Sequence, residues 1–136
     1  MSERDGDAPS AVFARGMAVR RRVLGDAHVD RAEAAKTPFD EDFQRFITEG
    51  AWGSVWARET WSARERSIVT IALLAALGQE EELAMHLRAT ANTGASAEDV
   101  KEALMHVAVY AGVPAANTAF RVAKRVLAEN GEGEAR

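Results

Sequence analysis

Apolar residues recur three and four positions apart along most of the chain, and sustained apolar/polar alternation bounded by turns is missing, so the pattern predicts helices and no sheet. The second half is the more sharply marked. Ser62-Ala63-Arg64-Glu65 has the form of a capping box, in which the Ser oxygen and the Glu carboxylate each satisfy an otherwise unpaired backbone N–H; a helix therefore starts near Ala63. It runs through the apolar residues 68–77 to Gly78, a residue suited to the left-handed position that ends a helix. A second helix is predicted over residues 79–93, stopping at Gly94. Ser96-Ala97-Glu98-Asp99 opens a third by the same capping logic, carrying Val100, Leu104, Val107 and Ala111 toward Gly112. Pro114 fits the first turn of a fourth, where its missing N–H costs little. Upstream, residues 42–56 carry Phe43, Phe46, Ile47, Gly50 and Ala51 at helical spacing, and residues 17–24 read as a shorter helix. Connections this short predict roughly antiparallel neighbours in an all-α, compact fold.

A chain of 136 residues, 47% hydrophobic, is long enough for one core and hardly for two, so residues 10–130 are expected to form a single domain. Residues 1–9 and 131–136 are charged and Gly-containing; neither can bury enough apolar surface to offset its ordering entropy, and both are expected to be disordered. Residues 68–77 are apolar on every side, which in so small a protein predicts either a central position or burial against another subunit; a homo-oligomer is the expected solution. A net charge of -4 argues against nucleic acid as a partner. No stretch approaches about 18 apolar residues and the N-terminus lacks a signal-peptide core, so the expectation is a cytoplasmic protein with no membrane contact. The absence of cysteine excludes disulfides, thiolate metal sites, a Cys nucleophile and dithiol redox chemistry. His28 and Asp30 show no metal-ligand spacing, and no metal site is expected.

Several side chains carry candidate chemistry. Glu82 and His86 stand four apart, which on a helix puts a carboxylate and an imidazole on one face as an acid/base pair. Residue by residue, a packed histidine and a solvated acidic cluster, Glu80-Glu81-Glu82, explain them as well. Glu102 and His106 repeat the spacing. Arg66 and Arg88 are candidate carboxylate anchors, because a guanidinium pairs bidentately with a carboxylate, and Arg58 beside Trp56 is a weaker one. Arg20-Arg21-Arg22 reads as a solvated or subunit-bridging face. Trp52, Trp56 and Trp61 fall within ten residues; Trp52 or Trp56 is expected in a pocket wall, against the plainer alternative of core packing. Tyr110 and Asn117 flank the Gly112-Val113-Pro114 turn as possible donors to a substrate oxygen or as helix-to-helix hydrogen bonds.

Taken together, Ala51-Trp52-Gly53-Ser54-Val55-Trp56-Ala57-Arg58, Arg66-Ser67, Glu81-Glu82-Leu83 with His86, then Gly94, Glu102 and residues 107–117 resemble the carboxymuconolactone decarboxylase family over residues 16–128. The resemblance implies a fold of the alkylhydroperoxidase D type assembled as a ring-shaped hexamer. In the peroxidase branch a Cys-x-x-Cys precedes the histidine; Gln79 and Glu82 stand where those cysteines would be, which favours the decarboxylase branch. The activity implied is conversion of 4-carboxymuconolactone to 3-oxoadipate enol-lactone, in the protocatechuate branch of the β-ketoadipate pathway. When the ring carboxylate of this dicarboxylate lactone leaves as carbon dioxide, its electrons run through the ring double bond into the lactone carbonyl, giving a dienolate. The substrate is its own electron sink, and no cofactor is implied. The protein then supplies an anchor for the second carboxylate, a donor to the oxyanion, a dry pocket and an acid for the ring carbon. With the resemblance, His86 becomes the first choice for the acid, with Glu82 one turn earlier to orient it or keep it charged. Arg66, at the start of the apolar helix and within the shared string, is the first choice for the anchor, against the plainer alternative of a salt bridge within or between subunits. Two other readings remain: a paralogue acting on a different small lactone or carboxylic acid, and a helical oligomer that binds a small acid without catalysis.

Overall fold

The structure, a computed structural model, describes residues 10–131, so the expected disordered ends fall outside the described residues apart from Gly131. Those residues are helical and divide into two compact units, one ending at Thr60 and the other beginning at Trp61. None of their helices is long and apolar enough to cross a membrane.

The first unit contains α1 (Ala11–Leu24), α2 (Asp26–Ala35), α3 (Glu41–Ile47) and a π-helical segment, Thr48–Trp56. Helix α1 begins well before the predicted Met17, because the Ser10 hydroxyl accepts from the Phe13 N–H at 3.0 Å and supplies the N-cap. Gly25, at φ +93°, ends α1 and opens α2, a helix the apolar pattern did not predict because it buries only Val29. Nor is 42–56 one α-helix. The chain widens after Ile47 into π winding, where the Ser54 hydroxyl donates to the Glu49 carbonyl at 2.9 Å. This segment packs backbone against backbone on α1: a methyl on Gly16 would overlap the Thr48 carbonyl and the Gly53 nitrogen, and one on Gly53 would overlap the Val12 carbonyl. The Arg20-Arg21-Arg22 run also departs from expectation. Arg20 is buried and donates to Glu33 (3.5 Å) and Gln44 (3.4 Å), tying α1 to α2 and α3. Burial pulls its guanidinium below the ordinary value, with Glu33 opposing. Arg21 pairs on the surface with Asp26 and Asp30.

The second unit contains α4 (Ala63–Leu77), α5 (Glu80–Arg88), α6 (Thr90–Thr93), α7 (Ala97–Tyr110) and α8 (Val113–Glu129). Both predicted capping boxes are present, Ser62 with Glu65 and Ser96 with Asp99, and Gly78 (φ +73°) ends α4 as expected. The predicted helix over 79–93 instead breaks at Ala89. There the Thr90 hydroxyl donates to the Leu87 carbonyl at 2.7 Å and the Asn92 N–H to Ala89 at 2.8 Å, tightening the winding before α6. Ile71, Leu83, Leu87, Leu104, Val122 and Val126 fill the core, each contributing about 1.5–3 kcal/mol by leaving water. Helix α4 is not buried all round. Ile71 and Ala75 face inward, whereas Val69, Leu73 and Leu77, four apart, are 37%, 56% and 69% exposed. Met105 and Val109 on α7 are exposed as well.

Candidate active site

In the second unit, the polar side chains that the fold buries lie on three elements. Arg66 and Ser67 stand one turn into α4, His86 in the last turn of α5, and Thr90 and Thr93 on α6; these three helices pack against one another. The local cause is periodicity. Ser67, Ile71 and Ala75 form the inward stripe of α4, and Leu83, His86, Leu87 and Thr90 that of α5 and its continuation, so a polar residue at either stripe is carried inside with its apolar neighbours. The C-terminal carbonyls of α5 at Leu87 and Arg88 accept from the Asn130 amide at 3.4 Å each.

Arg66 is 9% exposed, and its guanidinium carbon lies 5.8 Å from the centre of the Trp61 ring. The Ser67 hydroxyl is fully buried with no hydrogen-bond partner among the described residues. Trp61, one of the three clustered tryptophans, and Ser67, part of the Arg66-Ser67 string, were given no site role from the sequence. The signals were there: a polar residue on the inward stripe of an apolar helix, and an aromatic immediately before its N-cap.

Other predicted residues are placed differently. Glu82 is exposed in the first turn of α5 while His86 is buried, and no hydrogen bond or ion pair joins them. Arg88 is exposed and pairs with Glu129 at 3.5 Å. Asn117 is exposed and Tyr110 is 84% exposed, its ring stacked 6.2 Å from that of His106. Glu102 and His106 both lie on the surface of α7. In the first unit, Trp52 is buried and Trp56 half-buried, with ring centroids 5.1 Å apart and tilted by 41°, while Arg58 is exposed just beyond them. A cavity of about 120 Å³ in the second unit is lined by Leu74, Ala75, Gln79, Leu83, Ala115 and Ala119 among others, and by neither Arg66 nor His86. No cluster of His, Cys, Asp and Glu suited to a metal ion occurs among the described residues.

Residues 41–125 match the Carboxymuconolactone decarboxylase family. The chain belongs to that family. It is 45% identical to the 4-carboxymuconolactone decarboxylase of Acinetobacter baylyi over 119 residues, which is 88% of this chain and 89% of the relative. It is 37% identical to a nitrosuccinic acid decarboxylase of Metarhizium robertsii, covering 85% of this chain and 81% of that one. A 38-residue match, at 55% identity, links 28% of the chain to 79% of a 4-carboxymuconolactone decarboxylase sequence from Pseudomonas putida. Family membership agrees with the resemblance read from the sequence, and the all-helical architecture agrees with the expected fold class.

Proposed function

We propose that this protein is a carboxy-lyase that converts 4-carboxymuconolactone to 3-oxoadipate enol-lactone, the decarboxylation step of the protocatechuate branch of the β-ketoadipate pathway. The observation that carries the reading is a buried cation and a buried imidazole, Arg66 and His86, on two helices packed together in a chain of this family. A dianionic substrate that loses one carboxylate needs an anchor for the other and a proton for the ring carbon, and a guanidinium and an imidazole are side chains that supply them.

In this reading Arg66 holds the substrate's acetate carboxylate bidentately. The leaving carboxylate departs as carbon dioxide, its electron pair moves through the ring double bond to the lactone carbonyl oxygen, giving a dienolate, and His86 delivers a proton to the ring carbon beside the carbonyl. Ser67, with its buried hydroxyl, is a stronger candidate donor to the developing oxyanion than the exposed Tyr110 or Asn117. Glu82 acts from the surface on the field around His86 rather than through a hydrogen bond. Arg88 is held by Glu129 and takes a lesser part. Trp52, Trp56 and Arg58 keep their candidacy as residues that face substrate. Residues 10–130 work as one domain, which the family match supports by crossing the boundary at Thr60. The enzyme is cytoplasmic and a homo-oligomer, a hexamer, with the exposed α4 stripe as part of its subunit contact.

A second reading has its own support. The Metarhizium relative is named for nitrosuccinic acid, which also bears two carboxylates and its own electron sink, the nitro group. The same cation and acid would serve a paralogue acting on such an acid. Presenting purified protein with either compound and following carbon dioxide release distinguishes the two: faster turnover of the lactone is expected, and turnover of nitrosuccinic acid alone would favour the paralogue.

A further inference from the structure

Helix α4 is entered through a turn fixed by a reciprocal capping box. Ser62 is its N-cap, accepting from the Glu65 N–H at 3.2 Å, and the Glu65 carboxylate accepts from the Ser62 N–H at 2.8 Å. Trp61 and Arg66 therefore fill the position before the cap and the fourth position of the helix. Many helices place two apolar side chains there, which clasp and set the entry angle of the chain. Here the clasp is an indole and a guanidinium, 5.8 Å from ring centre to guanidinium carbon, within the range of a cation–π contact. The cation is the inner member, 9% exposed, and the ring the outer one, 47% exposed.

We infer that Trp61 is a positioning residue for Arg66. Resting on the reading of Arg66 as the carboxylate anchor, it holds the guanidinium in one orientation before substrate arrives and keeps bulk water off its outer side. Arginine has several rotatable bonds, and an anchor already restrained by a neighbouring ring loses less freedom when it closes on a carboxylate. A dry guanidinium also discriminates more sharply for a substrate that brings a second negative charge. The role falls on binding, not on proton transfer.

The test compares Trp61→Phe and Trp61→Leu with the wild type in steady-state turnover of 4-carboxymuconolactone. Leucine keeps an apolar partner at the clasp and so preserves the helix entry, but it has no π face; phenylalanine keeps both. Trp61→Leu is expected to raise KM by about 3- to 30-fold, the range of one cation–π contact, with kcat within about twofold, while Trp61→Phe restores most of the difference. Wild-type KM in both variants, or equal impairment of KM and kcat in both, overturns the inference. If the wild type turns over none of the acids tried, the functional reading fails, and succinate titrated against the Arg66 Nε–H resonance judges Trp61 by itself. Weaker succinate binding in Trp61→Leu and near-normal binding in Trp61→Phe sustain the role. Identical binding in all three proteins overturns it.

Discussion

Arg64 grips Asp99 with two arms of its guanidinium, Nε to Oδ2 at 2.8 Å and Nη2 to Oδ1 at 2.6 Å, and so ties the first turn of α4 to the first turn of α7. Asp99 also accepts from the Ser96 N–H at 2.9 Å as the acid of its capping box. The Arg64 hydrogen bonds, aided by Ser96, hold the Asp99 carboxyl down at about 2, against an ordinary 3.8. A carboxyl depressed by folding contributes stability that is present above its unfolded value and lost as pH falls through its folded value. The stability gap between wild type and Asp99→Asn, read from urea midpoints, is therefore expected to be constant from neutral pH down to the ordinary carboxylate range. It should shrink between 3.8 and about 2. A gap that does not change across that window would show that the pair adds nothing to folding.

Burial separates the two members of the proposed acid/base pair, and their variants should differ accordingly. His86→Ala is expected to lower the rate by about two to four orders of magnitude, the worth of a positioned general acid, with folding intact by circular dichroism. Glu82→Gln, at an exposed site without a bond to His86, should cost less than about tenfold. Near-normal turnover by His86→Ala moves the donor elsewhere, with His106 the next residue to replace.

The backbone contact between α1 and the π-helical segment predicts a contrast between two glycines. A methyl at Gly53 meets the Val12 carbonyl, whereas one at Gly50 meets nothing within 4 Å. Gly53→Ala should destabilise by about 1–3 kcal/mol or more as the segment is pushed off α1. Gly50→Ala should be neutral or stabilising, since it only restricts the unfolded chain. Thermal melts of the two variants give the comparison; equal melting temperatures would mean that the close approach does not form.

The exposed stripe on α4 predicts association. Light scattering should report a multiple of the 14.7 kDa chain, and Leu73→Asp, placing a charge in the middle of the stripe, should yield a smaller species. A wild type that scatters as a single chain would contradict this.

The sequence made the second unit legible because its punctuation is local: two capping boxes and Gly78 write the ends of α4 and the start of α7 into four-residue strings. The first unit was harder to read. Its π-helical segment lies against α1 where Gly16 and Gly53 meet across 37 positions, and nothing in either neighbourhood announces that. Helix α2 was missed for the opposite reason, since with Val29 alone buried it has almost no apolar face to detect. Among site candidates, helical spacing put Glu82 and His86 on one face but could not tell which of them the core would enclose. Arg20 shows the same limit: three consecutive arginines look alike until tertiary packing buries one.

Loss of carbon dioxide, with its electron pair passing into the substrate's own carbonyl, followed by a proton from His86, leaves a mark in the product. Turnover of 4-carboxymuconolactone in deuterium oxide, sampled early because the enol-lactone also exchanges protons without the enzyme, makes that mark visible by proton NMR. The wild type should place a single deuteron on one face of the ring carbon beside the carbonyl, and His86→Ala should turn over slowly and label both faces. Equal labelling of both faces by the wild type, or no release of carbon dioxide from this lactone, would contradict the proposed chemistry.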